Sequence, residues 1–511
     1  NRSSNYTPAI FRQPKEMKLN EYPDWALAIA SGILVGVAYL PIHTGMLIYI
    51  GLVPLLYIWL NRNVKRSAAM SYLSAITGHT IAFYWMGLNQ GTTGTIAFIS
   101  LAGAVFYLGI FWVLAGIAVS FLQKQFKMGL MMFPFVWITM EYARSFGSMG
   151  FPWGDLALTQ VYILPMIQTA DITGSAGIAF LICLLNGLVY LALTTAETKQ
   201  YIVGAVLLWV MVFTIGYWRL HAVEKKSTTA DYSVAVLQPN VDPVQKWDRS
   251  FRAELIALMD SLTVAAMALQ PDFVLWPESA LPVYLRTSPV RKQIQALVEK
   301  NNIPLLSGTV DVARDEGGKL YYNGSILLTA DGAHKMYHKI HLVPFAEYIP
   351  FSYKYPKLKK LNFGWGNFEH GREYTIFNVH EKRLGNMICY ESSFPRIARK
   401  FVDAGADFLS IQTNDAWCGD SPGAYQHFAI AQLRAVENRV PLVRSANTGI
   451  SGIIAPSGRA EQKLAFYDQG IIFGSLTFIA QDWYTASGDV FALMCIFIGL
   501  GLVIWEWVRK R

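Results

Sequence analysis

Eight long apolar runs limit what this 511-residue chain can fold into more than any other feature of its sequence. A helix needs about 20 apolar residues to cross the hydrocarbon core of a bilayer. The runs cover residues 24–40, 44–60, 68–88, 94–122, 127–143, 174–194, 201–219 and 490–508. Charged residues make up only 15% of the chain, against about 25% in soluble domains, which argues against a disordered or simply soluble protein. The sequence therefore predicts an α-helical membrane domain of about eight transmembrane helices.

Basic residues follow every second run, and they predict how the chain crosses the bilayer. They occur after the second, fourth, sixth and eighth runs: Arg62, Lys65, Arg66, Lys124, Lys127, Lys199, Arg509, Lys510 and Arg511. The alternate short loops at 41–43 and 89–93 contain no lysine or arginine. Because basic loops stay in the cytoplasm, both termini are expected inside and residues 220–489 outside. The net charge of +8 lies beside apolar runs, so a membrane explains it better than nucleic acid, and no nucleic-acid partner is expected.

Residues 220–489 differ from the flanking runs because short β-rich segments alternate there with helical patterns. The β-rich segments cover 233–240, 272–279, 303–310, 324–332, 384–391, 407–415, 441–449 and 451–458. The helical patterns cover 251–269, 288–300 and 424–438. This alternation indicates an α/β layered domain with a central sheet. The predicted organisation is an N-terminal tail (1–20), a membrane domain of seven helices (21–219), the α/β domain (220–489), and an eighth helix with a basic tail (490–511).

The cysteines show no spacing typical of a metal site or of a disulfide framework. Cys183 and Cys495 lie inside apolar runs, where a small buried hydrophobic residue is expected. Cys389 and Cys418 lie in the α/β segment, and a disulfide between them is an open alternative. The sequence contains no zinc-ligand spacing and no glycine motif for a phosphate or a dinucleotide, so no metal and no cofactor are expected.

Three segments that follow predicted strands offer reactive side chains. They provide Glu278 in LWPES, Lys339 and Glu347 in KIHLVPFAE, and Cys389 with Glu391 in MICYE. A thiolate attacks carbonyl carbons, a carboxylate with a raised pKa can take the thiol proton, and an ammonium group can stabilise the developing oxyanion. Glu278, Lys339 and Cys389 together therefore predict nucleophilic catalysis that requires no histidine.

Each of these residues also has a simpler interpretation. A cysteine in an apolar strand usually packs in a core, and a glutamate after Trp-Pro usually lies in a solvated loop. Lys339 could contact solvent or a phospholipid headgroup. His427 begins an amphipathic helical pattern and is interpreted as a packing or solvent-exposed residue. Taken one at a time, the residues do not establish an active site.

The order of the motifs resembles that of a known group of enzymes. LWPESALP, KIHLVPFAEYIP, NMICYESSFP and the stretch 412–458 occur in the order found in the carbon–nitrogen hydrolase (nitrilase) superfamily. The eight-run frame, GFPWG at 150–154 and QKWD at 245–248 narrow this to a resemblance to the apolipoprotein N-acyltransferase family, from about residue 24 to 508. The resemblance implies an αββα nitrilase-like sandwich on a membrane base of eight helices.

The resemblance also implies roles for particular residues. Cys389 would be the acylated nucleophile, Glu278 the general base and Lys339 the stabiliser of the oxyanion. Matching positions that support the substrate pocket are Trp247, Glu347, Tyr390 and Glu391. Asn414, Trp417 and Arg444 lie in matching motifs, where structural support and shaping of the active site are both open.

The reaction implied by the resemblance is a ping-pong acyl transfer. An acyl chain would pass from a phospholipid, typically phosphatidylethanolamine, through a Cys389 thioester to the free α-amine of a diacylglyceryl-cysteine lipoprotein, the last step of lipoprotein maturation. The expected location is the bacterial inner membrane, with several spans, a catalytic domain facing the periplasm, and a monomer as the expected state. Two alternatives stay open: a membrane-anchored amidase or nitrilase-type hydrolase, and a non-enzymatic lipid-binding or transport protein.

Overall fold

The computed structural model describes residues 19–315, 318–352, 354–361, 367–479 and 483–510. The predicted N-terminal tail, residues 1–20, lies outside the described residues except for its last two positions. The described chain has two parts. We call residues 19–226 together with the C-terminal helix Val490–Arg509 the helical region, and residues 228–479 the α/β region.

Helices fill the first part of the helical region. They are α1 (Asp24–Ala38), α2 (Ile48–Gly51), α3 (Val53–Asn61), α4 (Val64–Phe83), α5 (Gly94–Phe126), α6 (Gly129–Arg144), α7 (Leu164–Ile167), α8 (Ala170–Thr194) and α9 (Thr198–Lys226). Every predicted span overlaps at least one of these helices or the C-terminal helix. Within the described residues, five helical stretches are long and apolar enough to cross a membrane: 44–61, 94–126, 170–194, 198–226 and 490–509.

Small residues set the closest helix packing in this region. A Cβ atom on Gly32 of α1 would lie 2.5 Å from the carbonyl oxygen of Ser74 in α4. One on Gly36 would lie 2.6 Å from the carbonyl oxygen of Gly78. Lipid is as apolar as a leucine side chain, so helices in a bilayer associate through close backbone contact rather than through the hydrophobic effect. The glycines of α1, four residues apart, therefore allow α1 and α4 to pack face to face.

The α/β region contains two six-stranded sheets. The strands are β1 (Thr228–Gln238), β2 (Phe273–Leu275), β3 (Leu305–Asp315), β4 (Gly318–Leu328), β5 (His334–His338), β6 (Ile376–Val379), β7 (Lys382–Ile388), β8 (Phe408–Thr413), β9 (Leu442–Ala446), β10 (Ser451–Ile454), β11 (Ala460–Leu464) and β12 (Gly470–Phe478). The first sheet has the order β12-β1-β2-β3-β4-β5, and the second has the order β11-β10-β9-β8-β7-β6. In each sheet the central three strands (β1–β3 and β7–β9) are parallel and the outer pairings are antiparallel.

Each of the eight predicted β-rich segments overlaps a strand, and the four strands that were not predicted are the four sheet edges β5, β6, β11 and β12. The central strands β8 and β9 are buried along their whole length, so they appear as apolar runs. The edge strands β5 and β11 are mostly exposed, and their sequences HKMYH and AEQKL are polar. Because an edge strand is often covered on neither face, hydrophobicity alone does not identify it.

Helices cover the outer faces of the two sheets. The helices of the α/β region are α10 (Pro243–Trp247), α11 (Arg252–Ala268), α12 (Val290–Asn301), α13 (Pro395–Asp403) and α14 (Pro422–Asn438). They are followed in the chain by α15 (Trp483–Ser487) and by α16 (Val490–Arg509), which is the C-terminal helix of the helical region. Along β1, Val234 and Val236 face the core that the two sheets share, whereas Ala235 and Leu237 pack in the core beneath α11 and α12. The α/β region is therefore a four-layer sandwich, with α13 and α14 on the outer face of the second sheet.

Gln426 of α14 joins the α/β region to the helical region. Its Nε2 donates to the carbonyl oxygens of Tyr39 and Ala82, at 3.2 and 3.0 Å. Its Oε1 accepts from the indole N–H groups of Trp85 and Trp153, at 3.2 and 3.1 Å. These four bonds use both hydrogens and both lone pairs of the amide. This single glutamine therefore contacts three separate parts of the helical region from inside the buried junction.

Candidate active site

Cys389 lies at a sharp turn between a strand and a short helix. Strand β7 ends at Ile388, and a 3-10 helix runs from Cys389 to Ser393. The φ angle of Cys389 is 51°, in the left-handed region that a residue with a side chain rarely adopts. Such strain costs about 1–3 kcal/mol and persists only where neighbouring groups hold the backbone in place. The turn presents Cys389, which is partly accessible, at the end of the second sheet.

The thiol of Cys389 is held in its protonated form. Burial and the carboxylate of Glu278 raise its pKa, the ammonium group of Lys339 opposes both, and the net pKa is about 12. Glu278 and Lys339 thus lie close enough to Cys389 to act on its charge. A thiol with this pKa becomes a nucleophile only when a base takes its proton as it attacks.

Lys339 directly follows β5 and is fully buried. Its Nζ lies 2.9 Å from Oε1 of Glu347 and 3.9 Å from Oε1 of Glu278. Burial lowers the pKa of Lys339, but the two carboxylates raise it more, so the net pKa is above its ordinary value. The side chain is therefore a permanent cation between two carboxylates.

Glu278 lies three residues beyond the end of β2 and is 9% exposed. Burial raises its pKa, Lys339 lowers it, and Glu347 raises it again; the net shift is upward. The amide of Asn323 in β4 donates to Oε1 of Glu278 and to Oε1 of Glu347, both at 2.8 Å. Two carboxylates thus share one lysine and one amide, and the excess negative charge makes Glu278 a better proton acceptor than a solvated glutamate.

Glu391 ties the cysteine turn to the segment that carries Lys339. Its Oε1 accepts from the hydroxyl of Tyr337 at 2.8 Å and from the backbone N–H groups of Ile340 and His341 at 2.7 and 3.1 Å. Its Oε2 accepts from the N–H of Ile388 at 2.8 Å. Burial raises the pKa of Glu391 to about 7, against the opposing effects of Lys339 and these donors. Four donors around one carboxylate fix the spacing of the two segments.

The structure places the other predicted residues around this centre at different depths. The hydroxyl of Tyr390 donates to the carbonyl oxygen of Gly150 at 2.9 Å, and its ring stacks on Trp153 with centroids 6.4 Å apart. The GFPWG segment of the helical region therefore packs directly on the residue that follows Cys389. Trp247, in contrast, is 38% exposed, at the end of α10.

Trp417 lies within the 3-10 turn Asp415–Cys418, and Asn414 and Arg444 both contact this turn. The side chain of Asn414 caps this turn by accepting from the N–H of Ala416 at 3.3 Å. The carbonyl oxygen of Trp417 accepts from Gln90 N at 3.0 Å, and a Cβ on Gly91 would lie 2.1 Å from the Trp417 ring. Trp417 therefore contacts a loop of the helical region.

Sequence reasoning missed several polar residues of the site. Lys246, rather than the neighbouring Trp247, is buried, and its Nζ donates to the carbonyl oxygen of Glu278 at 3.2 Å. Burial lowers the pKa of Lys246 to about 8, and Glu278 opposes this shift. Asn323 was missed as well, because an asparagine within a strand looks like an ordinary polar residue. The useful signal was the QKWD motif, but sequence could not show which of its side chains points inward.

Asp415 was also missed, and of the two interpretations of His427, packing or solvent exposure, the structure agrees with packing. His427 is 2% exposed because α14 packs between the second sheet and the helical region. Its Nδ1 lies 2.9 Å from Oδ1 of Asp415, and Arg444 Nη2 donates to Oδ2 of Asp415 at 2.8 Å. Burial alone would raise the pKa of Asp415. Arg444 and His427 lower it by more, so the net pKa is about 2, below the ordinary value for aspartate. Asp415 is thus a carboxylate at neutral pH.

Cysteines and acidic side chains are also potential metal ligands. Cys389 and Cys418 are both free thiols, so the structure does not contain the disulfide that the sequence left open. Among the described residues, no group of three or more histidine, cysteine, aspartate or glutamate side chains could hold a metal ion. The chemistry that this centre can perform is therefore built from a thiol, carboxylates and an ammonium group.

Comparisons with known proteins match both regions. The family described as carbon–nitrogen hydrolase matches residues 233–478, and the apolipoprotein N-acyltransferase N-terminal domain matches residues 31–188. A relative named apolipoprotein N-acyltransferase from Geobacter metallireducens is 33% identical, covering 93% of this chain and 93% of its own. One of the same name from Chlorobaculum tepidum is 32% identical, covering 95% and 97%. A solved carbon–nitrogen hydrolase superfamily protein from Xanthomonas campestris is 18% identical with a TM-score of 0.38, covering 49% of this chain and 91% of its own.

Proposed function

Because this chain belongs to the apolipoprotein N-acyltransferase family, we propose that it moves an acyl chain from a phospholipid to a lipoprotein amine through a thioester on Cys389. The observation that carries this proposal is the buried group formed by Cys389, Glu278 and Lys339. A protonated thiol, a carboxylate with a raised pKa and a permanent cation lie within electrostatic reach of one another. These are the nucleophile, the base and the oxyanion stabiliser that acyl transfer requires.

In the first half-reaction, the acyl group moves to the enzyme. Glu278 takes the thiol proton as the sulfur of Cys389 attacks the ester carbonyl carbon of the phospholipid. The carbonyl oxygen becomes an oxyanion beside the ammonium group of Lys339. When the intermediate collapses, the bond to the glycerol oxygen breaks and Glu278 returns the proton to that oxygen. A lysophospholipid leaves, and the thioester remains.

In the second half-reaction, the acyl group moves to nitrogen. The α-amine of a diacylglyceryl-cysteine lipoprotein attacks the thioester carbon while Glu278 takes a proton from the amine. Lys339 again faces the oxyanion. The carbon–sulfur bond breaks, the sulfur regains a proton, and an amide is released. An amide is more stable than a thioester, so this half-reaction is downhill without a nucleotide.

The helical region provides the place where both substrates meet. Each carries acyl chains, and removing a methylene group from lipid costs about 0.8 kcal/mol, so neither substrate leaves the bilayer readily. An enzyme that acts on both must hold its active site at the membrane surface. The contact of the GFPWG segment with Tyr390 puts Cys389 directly above the helical region.

We also propose that the α/β region faces the periplasm across the bacterial inner membrane. The C-terminal end of α1, at Tyr39, meets the α/β region through Gln426. Asp24, at the other end of α1, pairs with Arg62 at 2.9 Å and with Arg66 at 2.8 Å. The basic loop that contains Arg62 and Arg66 therefore lies at the end of α1 remote from the α/β region, and basic loops stay in the cytoplasm. The eight-span count, phosphatidylethanolamine as the donor, and the monomeric state belong to this proposal.

The test is intact-mass measurement of the purified protein after exposure to phosphatidylethanolamine in micelles. The wild type is expected to gain the mass of one acyl chain, and hydroxylamine is expected to remove it, because hydroxylamine cleaves thioesters. The variant Cys389→Ala is expected to gain no acyl mass, and its rate of acyl transfer is expected to fall by at least about 10⁴-fold. Cys418→Ala is the matched control, because it removes the second thiol of the α/β region, and it is expected to acquire the adduct.

The same experiment separates the alternatives once a diacylglyceryl-cysteine peptide is added. Loss of the adduct with formation of an N-acyl peptide supports the proposal. Free fatty acid as the main product, even with peptide present, would instead establish a hydrolase. Full activity in Cys389→Ala would contradict the thioester and favour a lipid-binding or transport protein.

A further inference from the structure

The carbonyl oxygen of Cys389 lies against two buried side chains that take no part in the proposed chemistry. The hydroxyl of Ser392 donates to it at 2.8 Å. Nε2 of His427, on α14, lies 3.1 Å from the same oxygen and 2.9 Å from the Ser392 hydroxyl. Ser392 is fully buried and His427 is 2% exposed, so solvent cannot replace either contact. The peptide group that follows the nucleophile is therefore clamped from the side of α14.

A chain of buried groups orients the histidine. Nδ1 of His427 lies 2.9 Å from Oδ1 of Asp415, which also accepts from the hydroxyl of Thr413 at 3.1 Å. The other oxygen of Asp415 accepts from Arg444, whose side chain is completely buried. An ionised carboxylate can only accept, so Nδ1 of the imidazole carries a proton toward Asp415. A neutral imidazole then carries a lone pair on Nε2, so the single proton of the Ser392 hydroxyl is shared between Nε2 and the Cys389 carbonyl oxygen.

The ring of Trp153 completes the enclosure of His427. Its centroid lies 4.9 Å from that of the imidazole, and its indole N–H is bound to Gln426, the residue before His427. The same ring stacks on Tyr390. The position of the imidazole is thus fixed on one side by the second sheet and on the other by the GFPWG segment of the helical region.

Holding this carbonyl also fixes the thiol. A peptide bond is planar, so fixing the C=O of Cys389 fixes ψ of that residue and the orientation of the following N–H. With φ at 51°, these angles set the direction of the bond that carries the sulfur. A left-handed conformation at a residue with a side chain relaxes unless its surroundings prevent it. The hydroxyl of Ser392, together with the imidazole that orients it, provides that restraint.

From this geometry we propose that His427, oriented by Asp415 and Arg444, is a positioning residue that holds the Cys389 turn in its reactive conformation. The proposal rests on the role of Cys389 as the acyl carrier. It assigns Ser392, His427 and Asp415 a shared structural task, although their connectivity resembles that of a serine hydrolase triad. Ser392 has no exposed surface and its hydroxyl is bound to the Cys389 carbonyl, so it is not itself a nucleophile.

The test compares His427→Gln with His427→Asn. The terminal amide of glutamine reaches the position of the imidazole Nε2 and can bind the Cys389 carbonyl or Ser392, whereas the amide of asparagine reaches only the position of Nδ1, toward Asp415. The full-length protein is mixed with phosphatidylethanolamine, and the rate and amplitude of the acyl adduct are followed by rapid quench and intact mass. Misplacing a reacting group by about 1 Å can cost about 10²-fold in rate. We expect His427→Asn to acylate about 10²-fold more slowly with one adduct per protein, and His427→Gln to recover most of this loss.

The amplitude separates positioning from a general structural role. A residue needed only for folding would reduce the fraction of protein that acylates and leave the rate of the folded fraction unchanged, and this result would overturn the proposal. Equal rates in the two variants, whether both slow or both like the wild type, would also overturn it.

If neither variant folds, the variant Ser392→Ala provides the test, because it removes the hydroxyl that donates to the Cys389 carbonyl. An unchanged acylation rate would refute the proposal, whereas a loss of about fivefold at full amplitude would support it. A wild type that forms no adduct would instead refute the role of Cys389 itself.

Discussion

Both regions bury charged groups, such as Arg144, paired with Asp155 at 2.7 Å in the helical region, but those of the α/β region lie around the cysteine turn. In the helical region, Asn186 bridges α8 to the segment before α3 with bonds to Leu52 N at 2.9 Å and Ile48 O at 2.8 Å. In the α/β region, Lys339 and Arg444 are buried as full charges, each with carboxylate partners. A buried charge is costly unless its partners are exactly placed, so it specifies geometry more than it stabilises the fold. The helical region therefore provides location, and the α/β region provides a rigid arrangement of charges.

The junction between the regions shows how one depends on the other. Gln426 binds three parts of the helical region, and the next residue, His427, binds the carbonyl of Cys389. A single turn of α14 thus connects the membrane helices to the cysteine turn. The difference between the regions suggests that some substitutions change the chemistry alone, while others change both the chemistry and the stability.

The largest expected effect is on chemistry alone. Glu278→Gln keeps the shape of the side chain and an oxygen that can accept from Asn323, but it cannot take a proton. General-base catalysis is worth about 10²–10⁴-fold, so we expect acylation to slow by about 10³-fold. Thermal unfolding is expected to change little, because the substitution removes a buried carboxylate whose burial is unfavourable. Glu299→Gln, on the exposed surface of α12, is the matched control with wild-type rates. An acylation rate within tenfold of the wild type would exclude Glu278 as the base.

A smaller effect on rate, combined with a loss of stability, is expected at the junction. Gln426→Ala leaves two indole N–H groups and two carbonyl oxygens without their partner, and each unsatisfied buried group costs about 1–3 kcal/mol. We expect the free energy of unfolding to fall by about 3 kcal/mol and acylation to slow by about tenfold. Chemical denaturation and the adduct assay measure the two effects.

Gln432→Ala is the control for this prediction, because it lies on the same helix and makes one bond, to Gly458 O at 2.7 Å, within the α/β region. We expect its free energy of unfolding to fall by less than about 1.5 kcal/mol and its acylation rate to equal that of the wild type. Equal effects of the two substitutions would show that the junction has no special role and would remove the proposed link between the regions.

The smallest expected effect is a shift in pH dependence. Glu278 acts as a carboxylate, so the acylation rate rises with pH through its pKa, which burial holds above the ordinary value for glutamate. The amide of Asn323 donates to Glu278 and lowers that pKa. Asn323→Leu removes this donor, so the acid limb of the rate profile is expected to move to higher pH. Asn301→Leu, at the end of α12, is expected to leave the profile in place. An unchanged acid limb in Asn323→Leu would show that Glu278 does not control it.

The local sequence predicted whole elements best where burial is complete. Strands β8 and β9 are enclosed on both faces and were predicted from short β-rich segments, whereas β5 and β11 lie at sheet edges and have polar sequences. The resemblance to the apolipoprotein N-acyltransferase family, which rested on motifs in a fixed order, is confirmed by the comparisons. The order of the motifs can be read without knowledge of the fold, because it is a property of the sequence alone.

The sequence by itself determined that apolar helices flank an α/β region and that a thiol, a carboxylate and a lysine each follow a strand. Only the tertiary structure decided that Lys246 rather than Trp247 turns inward, that Asn323 is shared by two carboxylates, and that His427 reaches the Cys389 carbonyl. These contacts join residues 24 to 45 positions apart. They depend on which strands are neighbours and which helix face meets the membrane helices. A side chain in a strand or helix has the same local sequence whether it points into the site or away from it, so its partners are set by the packing of the whole chain.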